Sequence, residues 1–311
     1  MVSKLCTQTL EGYKSVVHFH RTSILALSVL NLTFSIVATL GNLLVILALR
    51  KASSIPASLK NLFLSLAVSD LAVALIPQLM LGVNLAVMLR MEAREKHDID
   101  AFCPEILIIY RFFVLFLASA SFLTVSAIAI DRFLAISLHL RYQELVTSKR
   151  VVIALMLLWL TSAIAASVFI SITKNNLMVV AVIEFYGLLV TTAVYIHIYR
   201  VVRHHQNQIL TQCQLYNDQA TIVLREKKSA VNAMFVYVVF IACYVPNSCC
   251  TILLLIDASR LSFMLANHVS VFLVLLNSSL NPLIYCWRYR EIRENVKRTV
   301  KNIFRITEAA R

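Results

Sequence analysis

Asp70 is a carboxylate in the middle of a long apolar segment, LSLAVSDLAVAL, where an ionised side chain is costly. Other apolar segments carry neutral polar side chains at Asn42, Ser121, Asn277, Ser278 and Asn281. Two interpretations stay open. These groups hydrogen-bond neighbouring helices to one another, or they form a buried network around Asp70. Because hard cations prefer oxygen ligands, such a network would hold a small cation or a proton.

A second constellation lies at the ends of apolar segments. Asp131-Arg132-Phe133 follows the third segment, and Glu226 precedes the sixth. If these ends are neighbours, Arg132 and Glu226 can form an ion pair that holds one face of the protein closed; two ordinary charges at a membrane surface are the simpler alternative. Pro246 and Pro282 interrupt later segments, and each predicts a helix kink.

Catalytic motifs are absent from the sequence. The four glycines, Gly12, Gly41, Gly82 and Gly187, lie far apart, so no glycine-rich loop can hold a phosphate. HExxH, GxSxG and CxxC do not occur, and the histidine pairs lack the spacing of a metal site. The sequence therefore predicts a protein that is not an enzyme.

Composition identifies the class of element that positions these side chains. Hydrophobic residues make up 59% of the 311 residues and charged residues only 14%, whereas soluble domains carry about a quarter charged residues. This excludes a soluble enzyme, a disordered chain and a secreted disulfide scaffold. We expect an all-α membrane protein.

A membrane span needs roughly 20 apolar residues, and seven stretches qualify. They are Ser23–Leu49, Leu59–Met88, Cys103–Ile136, Val151–Thr173, Leu177–Val202, Ser229–Ile256 and Leu261–Trp287. The longest connection is expected between Arg203 and Lys228. After the last span, apolar residues recur at helical spacing among basic ones, which predicts an eighth, amphipathic helix on the membrane surface: Ile292, Val296, Val300, Ile303 and Phe304.

Charge predicts the orientation. Most of the 29 Lys and Arg residues fall in one set of loops and in the C-terminal tail, which by the positive-inside rule are cytosolic. The expected organisation is an extracellular N-terminus (residues 1–22), a seven-span bundle (23–287) and a cytosolic amphipathic helix with tail (288–311), in the plasma membrane. The net charge of +13 reflects this topology, and no nucleic-acid partner is expected.

Taken in order along the spans, these motifs resemble the rhodopsin-like (class A) G-protein-coupled receptors. The resemblance rests on Gly41-Asn42, Leu66 with Asp70, Asp131-Arg132-Phe133, Trp159, Tyr195, Phe240, Cys243-Tyr244-Val245-Pro246 and Asn281-Pro282-Leu283-Ile284-Tyr285. It implies a seven-helix receptor that binds an extracellular ligand and activates heterotrimeric G-proteins. The alternative is an ion- or proton-coupled transporter that uses Asp70, but neither inverted repeats nor matching broken helices are visible.

The resemblance also implies roles for matching residues. The residues expected to contact the G-protein or to take part in activation are Asp131, Arg132, Glu226, Tyr195, Tyr285 and Leu140. The expected switch residues are Phe240, Tyr244, Pro246, Asn281 and Pro282. An allosteric sodium ion, the one cofactor expected, would be held by Asp70, Ser121, Asn277, Ser278 and Asn281.

Departures from the family pattern indicate a branch. The second extracellular loop, near Lys174–Asn176, has no Cys, and Gly187 replaces the usual Pro of span five. Both resemble the branch of melanocortin, adenosine, cannabinoid and lysophospholipid receptors. Only Cys6 and Cys103 should face the oxidising side, and we hypothesise that they form a disulfide.

Positions that match the family's ligand pocket combine apolar and polar residues. They are Gln78, Arg111, Val114, Leu115, Ala118, Glu184, Asn247, Thr251, His268 and Val271. Val114 stands where amine receptors carry Asp, and Met80 and Arg111 stand where melanocortin receptors use acidic residues for an Arg-rich peptide. Arg111 either pairs with an anionic ligand group or extends to lipid headgroups. An anionic or lipid-like ligand is therefore expected, while no residue indicates which G-protein class is activated.

Overall fold

The computed structural model describes residues 15–91, 104–138, 141–172, 182, 185–197, 200, 217–257 and 260–309. Every regular element in these ranges is helical. Six helices are long and apolar enough to cross a membrane, and a shorter apolar helix lies between the fourth and the sixth predicted spans. The all-α prediction is therefore confirmed.

We number the helices along the chain. They are α1 (Arg21–Lys51), α2 (Ala57–Val73, a π-helical turn Ala74–Gln78, and Leu79–Met91), α3 (Pro104–Leu138), α4 (Ser148–Ile172), α5 (Phe185–His197), α6 (Asn217–Ile256), α7 (Leu261–Arg288) and α8 (Arg290–Ala309). A one-turn helix, Tyr142–Leu145, joins α3 to α4. Of the predicted fifth span, only the part in α5 and two single residues are described.

The helices pack around α3 and α7. Helix α3 contacts α2, α4 and α6, and α7 contacts α1, α2, α6 and α8. Two clusters of buried apolar side chains form the core, one around Phe63 and Tyr285 and the other around Leu85 and Phe272. Helix α4 leaves Met156 and Leu160 more than half exposed, as expected for a helix that faces lipid tails on one side.

Pro77 causes an irregularity that the sequence analysis missed. Because proline has no N–H, an α-helix that contains it loses one backbone hydrogen bond, and here α2 widens into the π-helical turn at this point. The hydroxyl of Ser35 on α1 donates to the carbonyl of Ala74 in the turn, at 2.7 Å. Nearby, the hydroxyl of Ser28 donates to the carbonyl of Gly82, at 2.8 Å. Helix α1 thus supplies hydrogen-bond donors to the backbone of α2.

Helix α6 begins at Asn217, three turns before the predicted start of the sixth span. Half of the expected loop Arg203–Lys228 is therefore helical. The apolar window that predicts a span covers only Met234–Ile256. The preceding turns are rich in Ala, Leu, Arg, Glu and Lys, which favour helix without being apolar, so hydropathy could not detect them.

Helix α8 follows α7 after a single extended residue, Tyr289. Its residue Ile292 is fully buried, and the side-chain amide of Asn295 donates to the carbonyl of Ala48 on α1 at 3.3 Å. The Glu291 carboxylate accepts from the backbone N–H groups of Ser53 and Ser54, at 2.7 and 3.2 Å, and from both serine hydroxyls. These contacts fix α8 to the loop between α1 and α2.

Candidate functional site

The buried polar network predicted around Asp70 exists. Asp70 on α2 is fully buried. The Asn281 side-chain amide on α7 donates to Asp70 Oδ2 at 2.7 Å, and the Ser121 hydroxyl on α3 donates to Oδ1 at 3.4 Å. Ser278 also hydrogen-bonds the carboxylate, and Ser69 lies 3.2 Å from Ser121, hydroxyl to hydroxyl. Three helices therefore meet at one carboxylate.

Oxygen atoms beside this carboxylate remain available. The side-chain oxygens of Asn277 and Asn281 are buried and accept no hydrogen bond from the described residues. Asn281, Ser121 and Ser278 contact the carboxylate and Asn277 lines the adjacent cavity, so the site offers oxygen ligands of the kind that hard cations prefer. Among the described residues, no three His, Cys, Asp or Glu side chains come together as a zinc site would require.

Asn42 connects this centre to α1. Its side-chain amide donates to the Ser278 carbonyl at 3.0 Å and to the Ala38 carbonyl at 2.9 Å. Next to it, a Cβ atom on Gly41 would lie 3.1 Å from the ring of Pro282, tighter than an ordinary contact. The Gly41-Asn42 pair thus lets α1 approach α7 closely and stabilises the backbone around the Asp70 site.

A narrow cavity joins the cation residues to the predicted ligand pocket. Val114 and Ala118, predicted for the ligand, line the cavity together with Ser121, Asn277 and Ser278, predicted for sodium. The remaining lining residues are mostly apolar: Val73, Pro77, Tyr244, Val274 and Leu275. A change in the cavity therefore acts directly on the residues around Asp70.

The other predicted pocket residues do not line this cavity. Thr251 and His268 are buried, Leu115, Asn247 and Val271 are half-buried, and Arg111 is exposed. The Ser270 hydroxyl donates to the Asn247 side-chain oxygen at 3.2 Å, which links α7 to α6. Glu184 lies outside the described residues, as do Cys6 and Cys103, so the predicted disulfide stays a prediction.

Gln78 is a predicted pocket residue with an unusual environment. It is fully buried in the π-helical turn, and neither its amide nitrogen nor its oxygen has a partner among the described residues. The contacts Ser28–Gly82 and Ser35–Ala74 set the antiparallel register of α1 on α2. By this register Gln78 lies opposite Asn31, whose side-chain oxygen is likewise buried without a described partner. Sequence reasoning missed Asn31.

The Asp131-Arg132 pair lies at the other end of α3. Both side chains are buried, and the Arg132 guanidinium donates two hydrogen bonds to Asp131 Oδ2, at 2.6 and 3.0 Å. Asp131 Oδ1 accepts a third hydrogen bond, from the Tyr142 hydroxyl at 2.7 Å. That hydroxyl also lies 2.9 Å from Ser58 Oγ and accepts from Arg132 at 3.3 Å. The side chain of Glu226 and all of Leu140 lie outside the described residues.

Tyr142 and Ser58 are participants that the sequence analysis missed. Burial, followed by the nearby negative charge of Asp131, raises the pKa of Tyr142 to about 12. The hydroxyl is therefore protonated at physiological pH and donates to the carboxylate. A tyrosine two residues after Leu140 was the available signal, but sequence alone did not show that it turns back towards α3.

Two of the predicted switch residues, Phe240 and Tyr244, stack on each other. The Phe240 and Tyr244 rings lie parallel, with centroids 3.9 Å apart, and Phe240 contacts Phe122 on α3 at 5.5 Å. Tyr285 is fully buried, contacts Phe63, and has a hydroxyl without a hydrogen-bond partner among the described residues. Pro246 and Pro282 lie within α6 and α7, respectively.

Comparison with known proteins decides the family. A family profile described as 7 transmembrane receptor (rhodopsin family) matches residues 41–178 and 171–285. The chain belongs to this family. Curated relatives include Melanocortin receptor 4 of Danio rerio, 25% identical, and Melanocortin receptor 3 of Mus musculus, 27% identical. Each alignment covers 86% of this chain and 81–82% of the relative. Melanocortin receptor 3 of Homo sapiens is 26% identical over a similar share.

The receptor is therefore a multi-pass seven-helix membrane protein that binds an extracellular ligand and activates heterotrimeric G-proteins. It is not an enzyme, and the transporter alternative is not favoured. The predicted branch is confirmed, since melanocortin receptors are among its named members. The polar network around Asp70 and the Asp131-Arg132 pair thus lie in one receptor, at two levels of the same helix bundle.

Proposed function

We propose that the receptor binds an anionic or lipid-like extracellular ligand. The observation that carries this is the chemistry of one face of α3. Val114 and Ala118 line an apolar cavity, and Arg111, one turn before Val114 at helical spacing, is exposed. Acyl or other apolar groups would have to widen this narrow cavity as they bind, while Arg111 pairs with a phosphate or carboxylate outside it.

The test uses two probes with the same oleoyl chain, lysophosphatidic acid and the uncharged monoacylglycerol, each measured for binding to purified receptor. Arg111→Ala should weaken binding of the phosphate-bearing probe about tenfold or more, because charge-assisted hydrogen bonds are the strong ones. Arg111→Lys keeps the charge and should retain most of the affinity, and the uncharged probe should not distinguish the variants. Equal binding of the charged probe to wild type and Arg111→Ala would contradict an anionic ligand.

A melanocortin peptide is the second candidate, because the named relatives are melanocortin receptors. Met80 and Arg111 weaken this candidate, since neither offers a negative charge to a basic peptide. A fluorescent melanocortin peptide that saturates the wild-type receptor, and is displaced by unlabelled peptide, would favour it over the anionic ligand.

The proposed orientation places the N-terminus outside and α8 in the cytosol. It is supported by the basic residues at one end of the bundle, including Arg50, Lys51 and Arg288. An epitope tag at the C-terminus should bind antibody only after cells are permeabilised. Antibody staining of intact, unpermeabilised cells would show that the C-terminus is outside and contradict the proposed orientation.

The proposed route to the G-protein runs through Arg132. In the described state Arg132 is held by Asp131 and Tyr142, and its release would free the guanidinium for a partner. A panel of G-protein activation assays without ligand should show lower activity for Arg132→Ala than for wild type at matched surface expression. Equal basal activity of wild type and Arg132→Ala would show that Arg132 is not needed for G-protein activation.

We also propose a sodium ion at Asp70. The buried side-chain oxygens of Asn277 and Asn281 support it, together with the hydroxyls of Ser121 and Ser278. Because an ion that binds only the folded state stabilises it, the melting temperature should be higher in NaCl than in choline chloride. Asp70→Asn should abolish this difference. A difference in melting temperature between the two salts that persists in Asp70→Asn would indicate that the ion binds at another site.

A further inference from the structure

Two tyrosines connect α5 to α6. The rings of Tyr195 and Tyr237 lie 3.6 Å apart, centroid to centroid, and are nearly parallel at 7°. Both side chains are buried, with 4% and 5% of their surface exposed. Each ring covers a face of the other and so buries a large apolar area, which makes this contact a specific link between the two helices.

The two hydroxyl groups fix the rings in different directions. The Tyr195 hydroxyl donates to the Val125 carbonyl on α3, at 3.0 Å. The Tyr237 hydroxyl donates to Thr192 Oγ1 on α5, at 2.8 Å. Thr192 in turn donates to the Leu188 carbonyl of its own helix, at 2.6 Å. Because the Thr192 hydroxyl donates its proton to the Leu188 carbonyl, its oxygen is the acceptor for the Tyr237 hydroxyl. The donor and acceptor in each of the two hydrogen bonds are therefore fixed.

We infer that Tyr237 is a positioning residue that holds Tyr195 in the resting receptor and so sets the balance between the resting and active states. The stack and the Tyr237–Thr192 hydrogen bond both join α5 to α6, so any separation of these helices must break both. A parallel stack at 3.6 Å cannot persist when one helix moves by several ångströms. The inference rests on the proposed route to the G-protein, in which the bundle opens at the Arg132 end.

Tyr195 contacts α3 and α6 through different parts of its side chain. Its hydroxyl donates to a backbone carbonyl of α3, whereas its ring stacks on a side chain of α6. Tyr237 is therefore the partner through which a movement of α6 reaches Tyr195. The ligand need not contact either tyrosine, since α6 also carries Tyr244 at the cavity.

The test is a double-mutant cycle on ligand-independent G-protein activation at matched surface expression. Tyr237→Phe keeps the stack and removes the hydrogen bond, and Thr192→Val removes its acceptor. Each should raise basal activation about threefold to tenfold, the range for one hydrogen bond, and the double variant should rise no further than either single one. Tyr237→Leu, which also removes the stack, should rise more.

Thr191→Val is the matched control. Thr191 is the neighbouring threonine, its hydroxyl donates to the Gly187 carbonyl in the same way, at 2.9 Å, and it makes no hydrogen bond with Tyr237. Its basal activation should equal that of wild type. A merely structural role would lower the melting temperature of the Tyr237 variants without changing their basal activation.

Three outcomes would overturn the inference. The first is basal activation that is unchanged or lower in Tyr237→Phe and Tyr237→Leu. The second is a double variant in which the effects of Tyr237→Phe and Thr192→Val multiply. The third is a rise in basal activation for Thr191→Val equal to that for Thr192→Val. Arg132→Ala separates this failure from failure of the proposed route. If Arg132→Ala falls below wild type while the Tyr237 variants do not rise, only the role of Tyr237 is wrong. If none of them differs from wild type, both fail.

Discussion

Replacing Tyr142 by Phe should raise ligand-independent G-protein activation about tenfold. The substitution keeps the ring and removes the hydroxyl that donates to Asp131 Oδ1 at 2.7 Å and accepts from Arg132 at 3.3 Å. A hydrogen bond to a charged group contributes about 1.5–3 kcal/mol. Because this cluster holds Arg132 inside the bundle, its loss favours the state in which Arg132 is free. About 1.4 kcal/mol corresponds to tenfold in an equilibrium, so the lower end of the range predicts the stated change.

The assay is basal nucleotide exchange on purified G-protein, with the receptor in lipid nanodiscs at matched concentration. Tyr186→Phe is the control, since Tyr186 is 69% exposed on α5 and takes no part in the hydrogen bonds of the Asp131 cluster. Because the pKa of Tyr142 is about 12, its hydroxyl stays protonated between pH 7 and 9, and its titration should not change the wild-type activity in that range. Basal exchange that stays at the wild-type level in Tyr142→Phe would refute the reasoning, because the hydrogen bond would then contribute equally to both states.

Gln78→Leu should raise the melting temperature, because it removes two buried polar atoms that have no hydrogen-bond partner among the described residues, each of which costs about 1–3 kcal/mol; a lower melting temperature would show that the Gln78 amide is hydrogen-bonded in the receptor. Gly82→Ala should destabilise the receptor by about 1–3 kcal/mol, since its new Cβ would lie 2.8 Å from Leu32 Cγ, and Leu32→Ala should partly rescue it in thermal unfolding. Partial burial raises the pKa of Glu291, but hydrogen bonds from Ser53 and Ser54 lower it below its ordinary value. The stabilisation of α8 by Glu291 is thus present above the ordinary carboxyl pKa and lost as the pH falls through the lowered value. Hydrogen exchange in α8 should rise in acid for wild type and be insensitive to this titration in Glu291→Gln.

The spans could be predicted because hydropathy reports directly on burial in lipid, and the observed bounds of α1, α4 and α7 differ from the predicted ones by only a few residues. The residues around Asp70 were predicted from motif order, and the structure brings Asp70, Ser121, Ser278 and Asn281 together.

Partners that depend on helix rotation were not predictable. Tyr142 turns back to Asp131, Tyr237 faces Tyr195, and Asn31 lies opposite Gln78. Each pairing depends on the register of two helices, which neither composition nor hydropathy encodes. The π-helical turn at Pro77 likewise depends on the packing of α1 against α2, because the carbonyl of Ala74 in the turn accepts a hydrogen bond from Ser35.

The long sequence separation within the Asp70 site has a consequence for biosynthesis. The α1–α2 hairpin can form its Ser28–Gly82 and Ser35–Ala74 contacts as soon as both helices have entered the bilayer. Asp70, in contrast, hydrogen-bonds Asn281, which lies 211 residues later in the chain and is available only after α7 has been synthesised. Until α7 is made, α2 carries a carboxylate that the nascent hairpin alone does not satisfy. We therefore expect the packing around α2 to be completed only when the last span joins the bundle, and chains truncated before α7 to be less stable and degraded faster than the full chain.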